Sequence, residues 1–349
     1  MTINDTKSLG RSGLELSAMG FGGAPIGNFL RPFTDVAAAA MINQAWDLGT
    51  RFFDTAPHYG RGLSEYRLGH SLRRRPREEY VLSTKVGRLV GPWANGLATD
   101  ASYIDPSPFE AEFDYSYDGV MRSVEQSMQR MFTDHFDLLF IHDCDRFTHG
   151  DEQPAVFKQA MNSAYPALEA LRDQGVVKAI GFGVNETAVC AAALKNTDAD
   201  CFLLAGRYTL LEQDPLDELL PSCEERGVGV VLGGVYNSGI LATGPVDGAK
   251  FNYTTAPRSI LAKAAALEKI CGNHNVPLPA AALQFAYAHP AVTSICIGAR
   301  TLDQQQRNAD LFETVIAEEL WADLRAEGLI REDAPTPQYG DSTQPQEFT

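Results

Sequence analysis

The sequence predicts an α/β protein whose parallel strands close into a single (β/α)8 TIM barrel. Three observations carry that expectation. Eight short apolar runs recur along the 349 residues, rich in Val, Ile, Leu and Phe and lacking polar alternation, as strands covered on both faces do. Amphipathic helical patterns lie between them. The main alternative, an open doubly wound sheet, wants a G-x-G-x-x-G turn after a strand. Neither "GFGGAPIG" at 20–27, with Pro25 in the place of the third glycine, nor "GFGVNE" at 181–186 supplies one.

In chain order the strands are expected at 19–22, 51–54 ("RFFD"), 80–86 ("YVLSTKV"), 136–142 ("FDLLFIH"), 176–183, 200–205, 227–233 and 293–298. Residues 117–132 place Val120, Val124, Met128 and Met131 at helical spacing. Residues 165–174 put Tyr165, Leu168 and Leu171 on one face before Gly175 stops the helix. Two further helices, 259–270 and 279–289, precede the last strand. Residues 91–116 are too long for a plain βα connection and are expected to cover a site, with Trp93, Tyr103, Phe109 and Phe113 packing it down. The tail after Arg331, rich in Pro, Gln, Asp and Thr, is expected to be partly flexible. No repeat or linker divides the chain, so residues 1–349 read as one domain.

Bulk properties exclude several functions. The 29 basic and 45 acidic residues give a net charge of −16, which argues against nucleic-acid binding through phosphate neutralisation. No apolar run is long enough to span a bilayer, and the first residues lack a signal-peptide core; a cytoplasmic location is the expectation. Six scattered cysteines (144, 190, 201, 223, 271, 296) show no paired spacing and read as reduced, buried small hydrophobes. "HDCD" at 142–145 is a poor zinc pattern, so no metal is expected.

Function in such a barrel sits at the C-terminal ends of its strands. The second strand ends at Asp54, with Tyr59 in its loop; the third delivers Lys85 and the fourth His142. Each polar residue alone fits an ordinary strand end. Three successive strands ending this way, beside a tyrosine, point to one site. A free phenol has a pKa of about 10, and a nearby ammonium lowers it. Asp54 is the expected partner of Lys85, Lys85 is expected to make Tyr59 titratable, and His142 is placed to hydrogen-bond a reacting oxygen. Such a set suits interconversion of C–OH and C=O with a hydride-carrying cofactor. His58 reads as a neighbour.

At these residues the chain resembles the aldo-keto reductase family. The resemblance runs through "LGRSGLELSAMGFGGAPIG", "FFDTAPHYGRGLSEYRLG", "VLSTKVG", "FDLLFIHD", "GVVKAIGFGVNE" and "ICIGARTLDQQQRN". It implies a catalytic tetrad of Asp54, Tyr59, Lys85 and His142, with Tyr59 as acid/base, and NAD(P)(H) held across the barrel mouth. "KVGRLV", "GFGVNE", "LLAGRYTLL" and "GGVYNSGIL" are similar to a branch of aldose dehydrogenases that oxidise L-fucose, L-galactose or D-threo-aldoses at C1. A pyridoxal 4-dehydrogenase occurs among similar sequences.

The resemblance further implies cofactor contacts at Gly22, Gly23, Asn185, Gly239, Gly298, Arg300, Gln304 and Asn308, and substrate contacts at Tyr59, His142 and Trp93. The chain departs from the family pattern at Val184, Ala205 and Gly233, where Ser, Gln and an aromatic are usual. Gly298 and Gln304 stand where NADP-specific relatives place cations, although Arg300 and Arg307 are near; NAD is favoured over NADP. The expected activity is oxidation of a sugar or pyridoxal hemiacetal to its lactone. Alternatives are an NADPH-dependent aldehyde or ketone reductase, and a non-catalytic nucleotide-sensing subunit. A small sugar or aldehyde is the expected partner, on a monomer or small homo-oligomer.

Overall fold

A computed structural model describes residues 1–92 and 102–338. The eight barrel strands are β1 (Met19–Gly22), β2 (Phe52–Asp54), β3 (Val81–Val86), β4 (Phe136–His142), β5 (Val177–Val184), β6 (Cys201–Ala205), β7 (Gly229–Gly233) and β8 (Val292–Ile297). Every neighbouring pair is parallel, in sequence order, and β8 closes on β1. The barrel expectation holds, with strand limits within two residues of those read from the apolar runs. The four expected helices lie at Tyr117–Met131, Tyr165–Asp173, Arg258–Asn273 and Leu278–Ala288.

Successive strand residues face opposite sides. On β2, Phe53 points outward to Trp46 and Tyr80 in the helix layer, while Phe52 joins an inner cluster with Leu138, Phe140, Leu203, Val231 and Cys296. The same alternation carries Asp54, two residues past Phe52, to the inside at the barrel mouth. It also places Lys85 two residues past Ser83, and His142 two past Phe140. Above the inner cluster the barrel therefore turns polar on three adjacent strands.

The other end is plugged. An antiparallel hairpin of Thr6–Ser8 and Glu15–Ser17 brings Leu9, Leu14 and Leu16 into the inner cluster. Its turn docks on the loop before β7, where Arg11 N donates to Gly227 O at 2.8 Å. A second antiparallel hairpin, Arg88–Gly91 with Glu110–Phe113, is built from the long segment after β3. Tyr103, beyond its tip, forms a bridge to Phe29, so this segment does pack over the mouth; Phe113 stacks on Tyr115, while Phe109 is exposed. All six cysteines are free and buried. In the tail, Arg331 pairs with Asp217 and Asp333, and Arg325 donates to Ala334 O and Thr336 Oγ1, so residues 331–336 are tied to the barrel. Among the described residues, no helix is long and apolar enough to cross a membrane.

Gly10 has a φ of 50°, and a methyl group there would overlap the Gly227 carbonyl. Gly13, at φ 75°, has open space around it. Gly10→Ala should therefore lose about 2 kcal/mol or more in urea unfolding, against about 1 kcal/mol for Gly13→Ala, which meets only the left-handed backbone penalty.

Candidate active site

Lys85 and Asp54 form a buried ion pair at the centre of the mouth. Lys85 Nζ lies 2.6 Å from Asp54 Oδ2 and 2.8 Å from Thr55 O, and Ser83 Oγ donates to Asp54 Oδ1 at 2.7 Å. The carboxylate is satisfied on both oxygens and the ammonium is fixed by two acceptors. Tyr59 is carried over this pair by the turn after β2, in which Tyr59 N bonds Ala56 O and Ser64 N bonds Tyr59 O. The Lys85 ammonium then sits 4.9 Å from the centre of the phenol ring. His142 completes the group, its ring edge-on to Tyr59 at 6.0 Å. The fold thus brings together all four residues singled out in the sequence.

The electrostatics correct one expectation. The Tyr59 phenol is pushed well above its ordinary pKa, first by burial and then by the negative charge of Asp54. Lys85 was expected to lower it. Because Asp54 neutralises the ammonium at 2.6 Å, no net positive charge is left to stabilise a phenolate, and burial prevails. In the resting site the Tyr59 phenol therefore keeps its proton. His142 is pushed well below the ordinary imidazole value by burial, with Arg88, Lys85 and His58 adding to that and only Asp143 opposing it. It is neutral.

Several residues of the site were not singled out in the sequence. Arg88 Nη1 lies 3.1 Å from His142 Nδ1 and 2.9 Å from Asp143 Oδ2. Burial opposes the charge on Asp143, but its contacts with His142 and Arg88 outweigh that and hold the carboxyl well below the usual range. Above Tyr59, Tyr103 stacks at 6.4 Å and Phe29 packs on Tyr103 at 5.4 Å. Tyr253 reaches Phe29 edge-on at 6.3 Å from a two-residue turn between Lys250–Phe251 and Thr254–Thr255. His58 lies edge-on against Tyr103 at 5.2 Å, and is a neighbour as expected. These rings form an aromatic wall beside the four polar groups. Of these residues, Tyr103 was named with the segment expected to cover the site, and Arg88 had a local signal three residues after Lys85 in "STKVGR". Trp93 lies outside the described residues.

The ends of β5, β6 and β7 leave a cleft lined by Asn185, Ala205, Gly206, Gly234, Ser238 and Tyr253. Its lining is small-residued at the strand ends, with Ala205 closing β6 and Gly206 and Gly234 in the loops that follow β6 and β7. Val184 is buried in the outer core and faces away from the cleft. Asn185 gives both amide hydrogens to carboxylates, at 3.2 Å to Asp143 and 3.0 Å to Asp145; what it can offer a carboxamide is its Oδ1 acceptor. Around β8, Gln304 Oε1 accepts from Arg300 N at 3.0 Å and Gln304 N bonds the Thr301 side chain, which caps the helix Leu302–Phe312. Asn308 accepts from Tyr236 Oη at 3.0 Å. Methyl groups on Gly23 and Gly298 would lie 2.7 Å from Ser64 Oγ and Pro25 Cγ, and one on Gly22 would lie 3.1 Å from Gly298 N. Packing alone therefore accounts for Gly23 and Gly298, while Gly22 is tight but not closed to a side chain. Gly239 borders open space before Ile240–Thr243.

Removing one member of a buried ion pair strands the other, at a cost of about 3–5 kcal/mol. Lys85→Met is expected to abolish turnover and lower stability by that amount in urea unfolding. Adding Asp54→Leu should recover most of the stability and none of the activity.

Comparison with known proteins places this geometry. The Aldo/keto reductase family model matches residues 18–327. The chain is 43% identical to the pyridoxal 4-dehydrogenase of Microbacterium luteolum, over 95% of this chain and 99% of that one. It is 40% identical to a D-threo-aldose 1-dehydrogenase of Pseudomonas, over 93% and 97%. The solved holo form of the aldo-keto reductase AKR11C1 from Bacillus halodurans superposes with a TM-score of 0.71 at 25% identity, covering 97% of this chain and 98% of that one. The barrel, the four polar groups at its mouth and these matches agree: the chain belongs to the aldo/keto reductase family of nicotinamide-dependent oxidoreductases.

Proposed function

We propose that this enzyme oxidises the hydroxyl of a cyclic hemiacetal to a lactone, with pyridoxal or the C1 position of an aldose as substrate and NAD⁺ as oxidant. The observation that carries this reading is the aromatic wall of Phe29, Tyr103 and Tyr253 standing beside the phenol of Tyr59 and the imidazole of His142 at one mouth. Pyridoxal presents a flat ring to such a wall, and a pyranose presents its C–H face. In both, the reacting carbon bears one hydrogen and one hydroxyl.

The division of labour follows from the contacts. The Arg88 guanidinium has no acceptor, so His142 Nδ1 faces it as a lone pair and the ring hydrogen is on Nε2. Nε2–H is the donor to the substrate oxygen. Tyr59, as phenolate, takes the hydroxyl proton at its phenolic oxygen, and Lys85, anchored by Asp54 and Thr55 O, lies against the ring whose negative charge that transfer removes. The nicotinamide supplies the hydride acceptor, and as a cation in its oxidised form it favours the phenolate that oxidation requires. NAD is the proposed form of the cofactor. Gln304 is committed to capping its own loop and Gly298 carries no charge, so two positions suited to a 2′-phosphate clamp do not provide one.

Initial rates with NAD⁺ on pyridoxal, L-fucose, L-galactose and D-threo-aldoses test the proposal; oxidation of none of them, with rapid NADPH-dependent reduction of aldehydes, would overturn it. Equal saturation by NADP⁺ would remove the NAD assignment. Because Tyr59 is raised above its ordinary value, the base form becomes populated only as pH rises. The oxidative kcat/KM should climb on the alkaline side, and the reductive kcat/KM should fall there. Tyr59→Phe should lower kcat by about 10²- to 10⁴-fold while leaving cofactor binding in place.

A further inference from the structure

Arg88 lies one layer behind the four reacting groups. We propose that it is a positioning residue, whose guanidinium holds His142 in the tautomer that keeps hydrogen on Nε2 for the substrate oxygen. The inference rests on the placement of His142 as the oxygen-facing donor.

The geometry is local and over-determined. A guanidinium has five N–H donors and no acceptor, so the ring nitrogen 3.1 Å from Arg88 Nη1 must be the unprotonated one. The same Nη1 is held 2.9 Å from Asp143 Oδ2. Asp143 is fixed in turn, its N–H bonding Gly183 O at 2.9 Å and its Oδ1 accepting from Asn185 Nδ2 at 3.2 Å. Asp143 Oδ2 is 3.5 Å from His142 Nε2, beyond a strong hydrogen bond, so the Nε2 hydrogen remains available. Arg88 is held from its other side as well. Its guanidinium lies 4.5 Å from the centre of the Phe113 ring, and its carbonyl accepts from Ser123 Oγ at 3.1 Å.

The local sequence explains how an arginine three residues after Lys85 comes to lie behind His142. Gly87, at φ 102°, turns the chain out of β3, and a side chain there would strike Tyr115. The Tyr115 phenol donates to His142 O at 2.8 Å and contacts His149 Nε2 at 3.1 Å. One turn thus sets both the backbone and the ring of His142.

The groups facing His142 are Asp143 at its own strand end, Arg88 from the hairpin, Lys85 on β3, and His58 and Tyr59 from the loop after β2, with Tyr115 and His149 behind. Of these, Asp143 alone favours the imidazolium over neutral imidazole. Without the Arg88 cation, Asp143 acts on His142 unopposed by it and Nδ1 is free to take the hydrogen. The ring would then protonate at higher pH, or present a bare Nε2 to the substrate.

The test uses the whole enzyme labelled with ¹⁵N-histidine, with His142 assigned by substitution. In the unaltered protein, His142 should show a bare Nδ1 and a protonated Nε2 through the range near about 6.5 where a free imidazole titrates. In Arg88→Gln, its titration should move up into that range and hydrogen should populate Nδ1. Turnover should fall by about 10- to 100-fold in kcat, with KM for cofactor little changed. Arg88→Gln combined with Asp143→Asn should bring the titration back down. A His142 that carries its hydrogen on Nδ1 in the unaltered enzyme overturns the proposal, as does Arg88→Gln with unchanged titration and slowed turnover, the mark of a merely structural loss. If Arg88→Gln does not fold, the spectrum of the unaltered enzyme decides alone. Substrate identity does not enter the tautomer and titration readouts, so failure on the lactol panel would remove the functional reading and leave this one to be decided by the spectra.

Discussion

The site depends on one buried ion pair. Lys85 and Asp54 sit where water does not screen them, and each would be costly to bury alone. Together, with Ser83 and Thr55 taking the remaining hydrogen-bonding capacity, they form a nearly neutral unit. That neutrality has a chemical consequence. A paired ammonium leaves little net positive charge under the phenol to offset its burial, and the phenol keeps its proton. The pair fixes Lys85 against the ring without committing the proton in advance.

Much of this was legible because two periodicities are legible. Parallel barrel strands bury both faces, so their sequences are short apolar runs that stand out from the helices. A polar residue closing such a run is conspicuous for the same reason: Asp54 after "FF", Lys85 after "VLST" and His142 after "LLFI" each stand where an apolar residue would continue the pattern. Alternation along the strand then puts all three on the inside. The sign of the Tyr59 shift was not legible. It depends first on the burial of the phenol and then on Asp54 pairing Lys85 at 2.6 Å, closer than Lys85 lies to the ring, and sequence carries neither.

The aromatic wall was invisible for a different reason. Phe29, Tyr103 and Tyr253 come from three loops more than 220 residues apart at the extremes, and no local pattern marks loop residues that converge. Their support is more readable. In "GLSEYRLG", Ser64 bonds Gly23 O and Thr55, Glu65 bonds Thr84 and Arg130, and Gly69 packs against the Met131 backbone. Arg67 donates to Ile26 O, Asn28 Oδ1 and Phe33 O, clamping both sides of the loop that presents Phe29. The motif that carries the family resemblance is thus largely scaffolding for the mouth, with the proton-transfer chemistry confined to its first residues.

Chemistry and recognition are therefore held by different parts of the chain. The reacting groups are set by strand ends and by a turn whose backbone is bonded at both sides of Tyr59, which gives them a rigid frame. The wall stands on loops, and Tyr253 is carried on a two-residue turn, Asn252–Tyr253, with both residues at positive φ. Asn252 accepts from Arg207, and Tyr253 N bonds Ser238 Oγ at 2.9 Å, so even this turn is pinned to the ends of β6 and β7. Arg207 also donates to Asn185 O at 2.6 Å, and Asn185 holds Asp143, the partner of Arg88 behind His142. A continuous chain of polar contacts runs from the loop that carries Tyr253 to His142. Sequence changes in that loop leave His142 undisturbed only while they preserve the Arg207 anchor, because Arg207 holds Asn185, and through Asp143 and Arg88 the setting of the His142 ring.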